Sequence, residues 1–91
     1  MVSYYTFPAI IEKAGETYGV YFPDLPGCVA TGSTVEEVLA LAKEGLAFHL
    51  NAMERDGDDI PKPTPYSSVK LEAGEVLCIL DANMELARKI A

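Results

Sequence analysis

The side chains with chemistry to offer in this 91-residue chain are one histidine, His49, two cysteines, Cys28 and Cys78, and the aspartates Asp24, Asp56, Asp58, Asp59 and Asp81. Converging carboxylates can hold two metal ions for phosphodiester cleavage. A cysteine beside a histidine can act as nucleophile and base once the fold brings them together. Neither pattern is complete here. Asp56, Asp58 and Asp59 sit in the run RDGDD, which reads as a solvated loop and lacks the spacing of a calcium-binding loop. Cys28 and His49 have no evident third residue to orient the imidazole, and no second histidine or C-x-x-C pair supports a zinc site. His49 falls three residues after Leu46 on an apolar helical stripe, where an imidazole more often satisfies a hydrogen bond in a core or interface than binds a ligand. Cys28, between Gly27 and Val29, reads as a small packing residue. The stretch ATGST ahead of a helix could receive an anion on free N–H groups. Ser33 and Thr34 satisfy those donors, however, and Glu36 and Glu37 repel phosphate. No metal or cofactor is expected.

Fourteen acidic residues against seven basic ones give a formal charge of −7. That balance disfavours extended contact with phosphate backbones, which need Lys and Arg to displace counterions. It favours a cationic protein partner. An apolar content of 49% supports one core and not two. A core this small buries only about 60% of the unfolded surface, so a homo-oligomer is a reasonable expectation. No run approaches the ~20 apolar residues that span a bilayer, and the N-terminus lacks the pattern of a signal peptide. A cytoplasmic chain with reduced thiols and no membrane partner is expected.

These residues need elements to position them. SYYTFPAIIE, residues 3–12, reads as a strand with Tyr5, Phe7, Ala9 and Ile11 on one face and Tyr4, Thr6 and Ile10 on the other. Pro8 lacks an N–H and argues for an edge position or a bulge. KAGE supplies a turn and TYGVYF a second strand, so a hairpin is expected. PDLPG is a rigid excursion, since two prolines remove ladder donors. CVATG suits a third strand.

Ser33 and Thr34 each precede a glutamate by three residues, Glu36 and Glu37, which marks a helix start. Val35, Val38, Leu39, Ala42, Leu46, Leu50 and Met53 then form one stripe, predicting a helix from about 34 to about 55. Gly45 inside it suggests close approach to the sheet. Leu41 and Phe48 lie beside the stripe and are read as an oligomer contact. Residues 55–65 form a stiff loop, Val69 and Leu71 alternate as a strand, VLCIL reads as a buried strand, and MELARKIA is a helix-prone tail. The order β-β-β-α-β describes a small two-layer α+β domain.

The assembled motifs resemble the HicB-type antitoxin family. They are YGVYFPDLPGCVATGSTVEEVLALAKEGLAFHL over residues 18–50 and DGDDIPKP over 56–63. The resemblance implies a non-catalytic antitoxin of a type II toxin–antitoxin pair, with a reduced ribonuclease H-like fold that lacks the catalytic acids. The implied partner is a small basic HicA-type toxin that cleaves mRNA, and dimers or larger homo-oligomers are implied as well. Asp24 and Leu25 on the proline loop, with Glu36 and Glu37, are expected to meet that toxin. Residues 1–81 are expected to form the toxin-neutralising domain. Residues 82–91 would be a short C-terminal tail or the start of a truncated second module, too short to bind DNA. Two other readings stand beside this one: a residual metal-dependent nuclease of ribonuclease H type, and a regulatory homo-oligomer that acts without a toxin.

Overall fold

The computed structural model describes residues 2–90, apart from the side chain of Ile90. Four strands, β1 (Tyr4–Ala14), β2 (Thr17–Tyr21), β3 (Val29–Gly32) and β4 (Val76–Asn83), form one antiparallel sheet in the order β3-β2-β1-β4. Helix α1 (Val35–Asp56) follows β3, a single 3-10 turn covers Tyr66–Ser68, and α2 (Met84–Ile90) leaves β4 directly. The β1–β2 hairpin closes as expected, with Ala14 opposite Thr17 and Gly15 at φ 62 in the turn. Pro8 lies where β1 pairs with β4 alone, because the β2 ladder stops at Ile10 opposite Tyr21. β1 is an edge strand over that half, so a missing N–H is tolerated.

Strand alternation and helical periodicity converge on one core. Phe7, Ala9, Val20, Leu80 and Ala82 project from one sheet face onto Val38, Ala42, Leu46 and Leu50 of α1. Each large side chain buried there is worth roughly 1.5–3 kcal/mol. Both ends of α1 are closed. The Thr34 hydroxyl accepts from the Glu37 N–H at 3.1 Å, and the Glu37 carboxylate accepts from the Ser33 N–H at 2.9 Å. At the other end Gly57, at φ 75, donates to the Glu54 carbonyl while Asp58 donates to that of Met53.

Four expectations change. VLCIL is not a buried central strand: β4 is an edge, where Ile79 faces away from the helices and Val76, at the strand's start, is exposed as well. Val69 and Leu71 join no ladder, since the chain turns over Glu72–Glu75, with Gly74 at φ 84, before β4 begins. Gly45 does not approach the sheet; it lies on the solvent side of α1, where a Cβ would meet nothing within 4 Å. The close approach is at Gly32, where a Cβ would stand 2.9 Å from the Val38 nitrogen.

Residues 82–90 are likewise no loose tail. Ala82, Met84 and Ala87 are buried in the same core, so α2 gains from packing what its length denies it in isolation. Met84 donates its N–H to the Ser3 carbonyl at 2.9 Å, and Arg88 grips Glu54 of α1.

Candidate functional site

The proline loop between β2 and β3 is two consecutive turns. Leu25 N–H donates to the Phe22 carbonyl and Cys28 N–H to the Leu25 carbonyl, both at 3.0 Å. Pro23 and Pro26 each occupy the second position of a turn, where their fixed φ is pre-set, and Gly27 at φ 87 takes the third position of the second turn. The shared spacing of three aims Phe22, Leu25 and Cys28 inward and leaves Pro23, Pro26 and Gly27 outside. Leu25 is therefore a core side chain, only 2% exposed, and reaches the surface only as part of the lining of the cleft beside Asp24.

Asp24 stands on the outer side of the first turn, half-buried. Its carboxylate accepts from the Thr64 N–H at 2.9 Å and from the Thr64 hydroxyl, tying the loop to the proline-rich segment that follows α1. This pin brings together acids that are far apart in sequence. A cleft of about 360 Å³ is lined by Asp24, Pro26, His49, Met53, Asp56 and Asp58. Three aspartates among the lining residues, one of them fixed to Thr64, give the opening a negative character that suits a Lys or Arg side chain. Among the described residues no group of three His, Cys, Asp or Glu side chains could hold a metal ion.

Glu36 and Glu37 are exposed, as a surface role requires. They are not part of the cleft. About twenty residues of α1 separate them from Asp56, which is roughly 30 Å along the helix. Glu37 also has its carboxylate engaged in the helix cap.

Cys28 and His49 do not form a catalytic pair. Among the described residues no hydrogen bond joins them, and burial pushes the Cys28 thiol up, away from the thiolate that a nucleophile needs.

A second depression, about 380 Å³, runs between α1, α2 and the end of the sheet, lined by Tyr4, Lys43, Ala47, Phe48, Asp81 and Leu86 among others. Phe48 is 37% exposed and Leu41, seven residues earlier on α1, 44%. Leu86 adds apolar surface from α2 that sequence reasoning missed, because a short tail gave no sign of docking beside Phe48. The gathering of Asp56 and Asp58 around Asp24 was missed too. Its one signal was the pair of proline-rich segments that must bend the chain back on itself.

Comparison with known proteins now bears on this geometry. Residues 7–87 match the family described as HicB-like antitoxin of bacterial toxin-antitoxin system. The chain is similar to an uncharacterized 14.9 kDa protein in the rep-hol intergenic region of Haemophilus phage HP1, at 41% identity over 65% of this chain and 44% of that protein. It is similar to Antitoxin HicB 1 of Photorhabdus laumondii, at 31% identity over 87% of this chain and 54% of that one. The chain thus spans about half the length of these curated relatives. Among solved structures, a chain of a HicA3 and HicB3 toxin-antitoxin complex aligns with a TM-score of 0.67 and 29% identity, covering 84% of this chain and 95% of that one. Four antiparallel strands and two helices match that antitoxin layout. With its proline loop, capped helix and two-layer core all inside the matched region, this chain belongs to the HicB-like antitoxin family.

Proposed function

We propose that this chain is the antitoxin half of a type II pair, which binds a small basic HicA-type toxin and masks its mRNA-cleaving surface without doing chemistry itself. The observation that carries the reading is its likeness, across nearly the whole of the aligned chain, to a protein solved as part of a HicA3 and HicB3 complex. A charge of −7 and the cleft of Asp24, Asp56 and Asp58 supply the complement to a cationic partner. In this reading Asp24 is a contact residue at the rim of the cleft, and Glu36 and Glu37 offer a second acidic end at the start of α1. The sheet-and-helix layout is read as a reduced ribonuclease H-like fold. The protein works in the cytoplasm and this segment binds no nucleic acid directly, since its charge repels phosphate. Leu41 and Phe48, with Leu86, form the surface through which it self-associates.

The test is to express the chain with the small basic protein encoded beside it. The antitoxin reading expects growth arrest by that protein alone, rescue on co-expression, and a complex that survives purification. It fails if the two neither bind nor affect each other's phenotype. Reversing the charge of Asp24, Asp56 and Asp58 together is expected to weaken the complex and flatten its salt dependence. Unchanged affinity would remove the cleft from the interface.

A further inference from the structure

Both helices lie on one side of the sheet, and α2 buries Met84 and Ala87 in the same core as α1. Strand register defines what the other side carries. One row crosses all four strands as Val29, Tyr21, Ile10 and Leu77, and the next pairs Pro8 with Ile79. The Tyr21 hydroxyl donates to Glu75 at 2.8 Å, just ahead of β4. Ile10 at the centre of the row and Pro8 in the next are both buried. Around that buried centre, Val29 is 67% exposed, Ile79 48% and Tyr4 60%. The apolar band spans three inter-strand spacings, about 14 Å.

Charge frames the band on two sides. Beyond the row of Tyr21 lies Glu12, whose side chain runs over Gly19. The charges that act on the Tyr21 hydroxyl are Glu75, Glu12 and Glu72, all acidic. On the opposite flank Asp81 accepts from the Thr6 hydroxyl at 2.8 Å, at the border with the depression lined by Lys43 and Phe48 of α1. Glu12 and Asp81 stand three rows apart, about 20 Å along the strands. The one basic residue in the strands, Lys13, alternates to the helix side, with its ammonium 6.0 Å from the centre of the Tyr18 ring.

We propose that this sheet face, turned away from both helices, is the principal docking platform for the toxin, which would present an apolar centre flanked by Lys or Arg side chains. The inference rests on the antitoxin reading and names the surface that serves it. An apolar core with a charged rim is the usual anatomy of a specific interface, and the sign of the rim selects the partner. A second copy of this chain would set carboxylates against carboxylates across the whole rim. RNA would meet the same repulsion. The face also leads straight into the proline loop, since Tyr21 precedes Phe22 and Pro23, so the cleft at Asp24 lies along the chain from the same platform.

The probe is the toxin encoded by the neighbouring reading frame, inactivated at its catalytic residue, with affinity measured by calorimetry. Two independent pairs are made in the full chain, Val29→Arg with Ile79→Arg and Glu12→Lys with Asp81→Lys, and each is checked for a native circular dichroism spectrum and melting transition. Each folded pair is expected to lose at least about tenfold in affinity, as truncation at an interface centre does. Glu12→Gln with Asp81→Asn is expected to flatten the salt dependence, while Gly45→Lys on the solvent side of α1 leaves affinity within about twofold, inside the usual spread of peripheral contacts. Folded face variants that bind like wild type overturn the platform while the antitoxin function stands. Face variants that change the mass of the free chain assign the surface to a second copy and overturn it as well. A wild-type chain that binds no toxin overturns both this inference and the function beneath it.

Discussion

Arg88 of α2 holds Glu54 of α1 with two nitrogens, Nε at 3.1 Å from one carboxylate oxygen and Nη2 at 2.7 Å from the other, while the Tyr5 hydroxyl donates to the second oxygen at 3.0 Å. Three elements meet at one carboxylate. The fork geometry of guanidinium on carboxylate is what makes such a pair directional. The pair fixes the orientation of a helix only seven residues long.

The pH behaviour of this group follows from its partners. The Arg88 guanidinium, with help from the Tyr5 hydroxyl, holds the Glu54 carboxyl below the usual carboxylate range against the opposing effect of burial. A lowered folded value contributes stability that is present at neutral pH and lost as pH falls through that value. Glu54→Gln is expected to melt lower than wild type at pH 7. The gap in melting temperature is expected to narrow on acidification, as wild type loses what the variant never had. A constant gap from neutral to acid pH would show that the pair contributes through packing alone.

Tyr21 makes the opposite prediction. Its hydrogen bond to Glu75, its partial burial and the nearby carboxylates push its hydroxyl up to about 12 from 10.0. A raised value means that the folded state keeps a proton the unfolded chain loses first, so stability falls as pH rises from 10.0 towards about 12. Ultraviolet titration of wild type is expected to show late absorbance from Tyr5 and Tyr21, and Tyr21→Phe is expected to remove the Tyr21 share. The difference in stability between the two proteins should shrink across the same alkaline range.

Two glycines in regular structure are expected to respond with opposite sign to alanine. At Gly45 the helix faces open space, so Gly45→Ala should stabilise by up to about 1 kcal/mol through helix propensity, or about 4–8 °C in melting temperature. At Gly32 a Cβ would stand 2.9 Å from the Val38 nitrogen and 3.1 Å from its Cα, and backbone atoms cannot swing away. Gly32→Ala should destabilise by about 1–3 kcal/mol. Denaturant melts of the two variants beside wild type decide both.

The proline loop depends on its pin. Asp24→Ala leaves the Thr64 N–H and hydroxyl without their acceptor, and an unsatisfied half-buried group of this kind costs about 1–3 kcal/mol. Amide exchange at Thr64 is expected to accelerate more than exchange in α1. Unchanged exchange would mean that the loop is held by Phe22, Leu25 and Cys28 alone.

Much of the local structure was legible in residue order, because its causes are local. Thr34 and Glu37 stand three apart, as a reciprocal cap requires, and the cap forms between them and Ser33. Pro23, Pro26 and Gly27 sit where two successive turns need them. The candidate site was less legible. Asp24 stands at the rim of the cleft, but Leu25 beside it turns into the core, since the turn repeat of three alternates anchors with exposed corners. The gathering of Asp24 with Asp56 and Asp58, across the whole length of α1, could not be read from spacing. It exists because Thr64 crosses back to Asp24.

Amino-acid order by itself determined the hairpin, the capped 22-residue helix, the rigid proline loop and the acidic balance. These depend on propensity, on periodicity and on net charge, which are properties of neighbours or of sums. Only the tertiary structure decided that VLCIL is an edge, that α2 belongs to the core, that Gly45 is free and Gly32 confined, and that both helices pack on one sheet face. Those outcomes depend on which strand lies beside which and on which side the single long helix settles, and such relations are set by packing between residues distant along the chain.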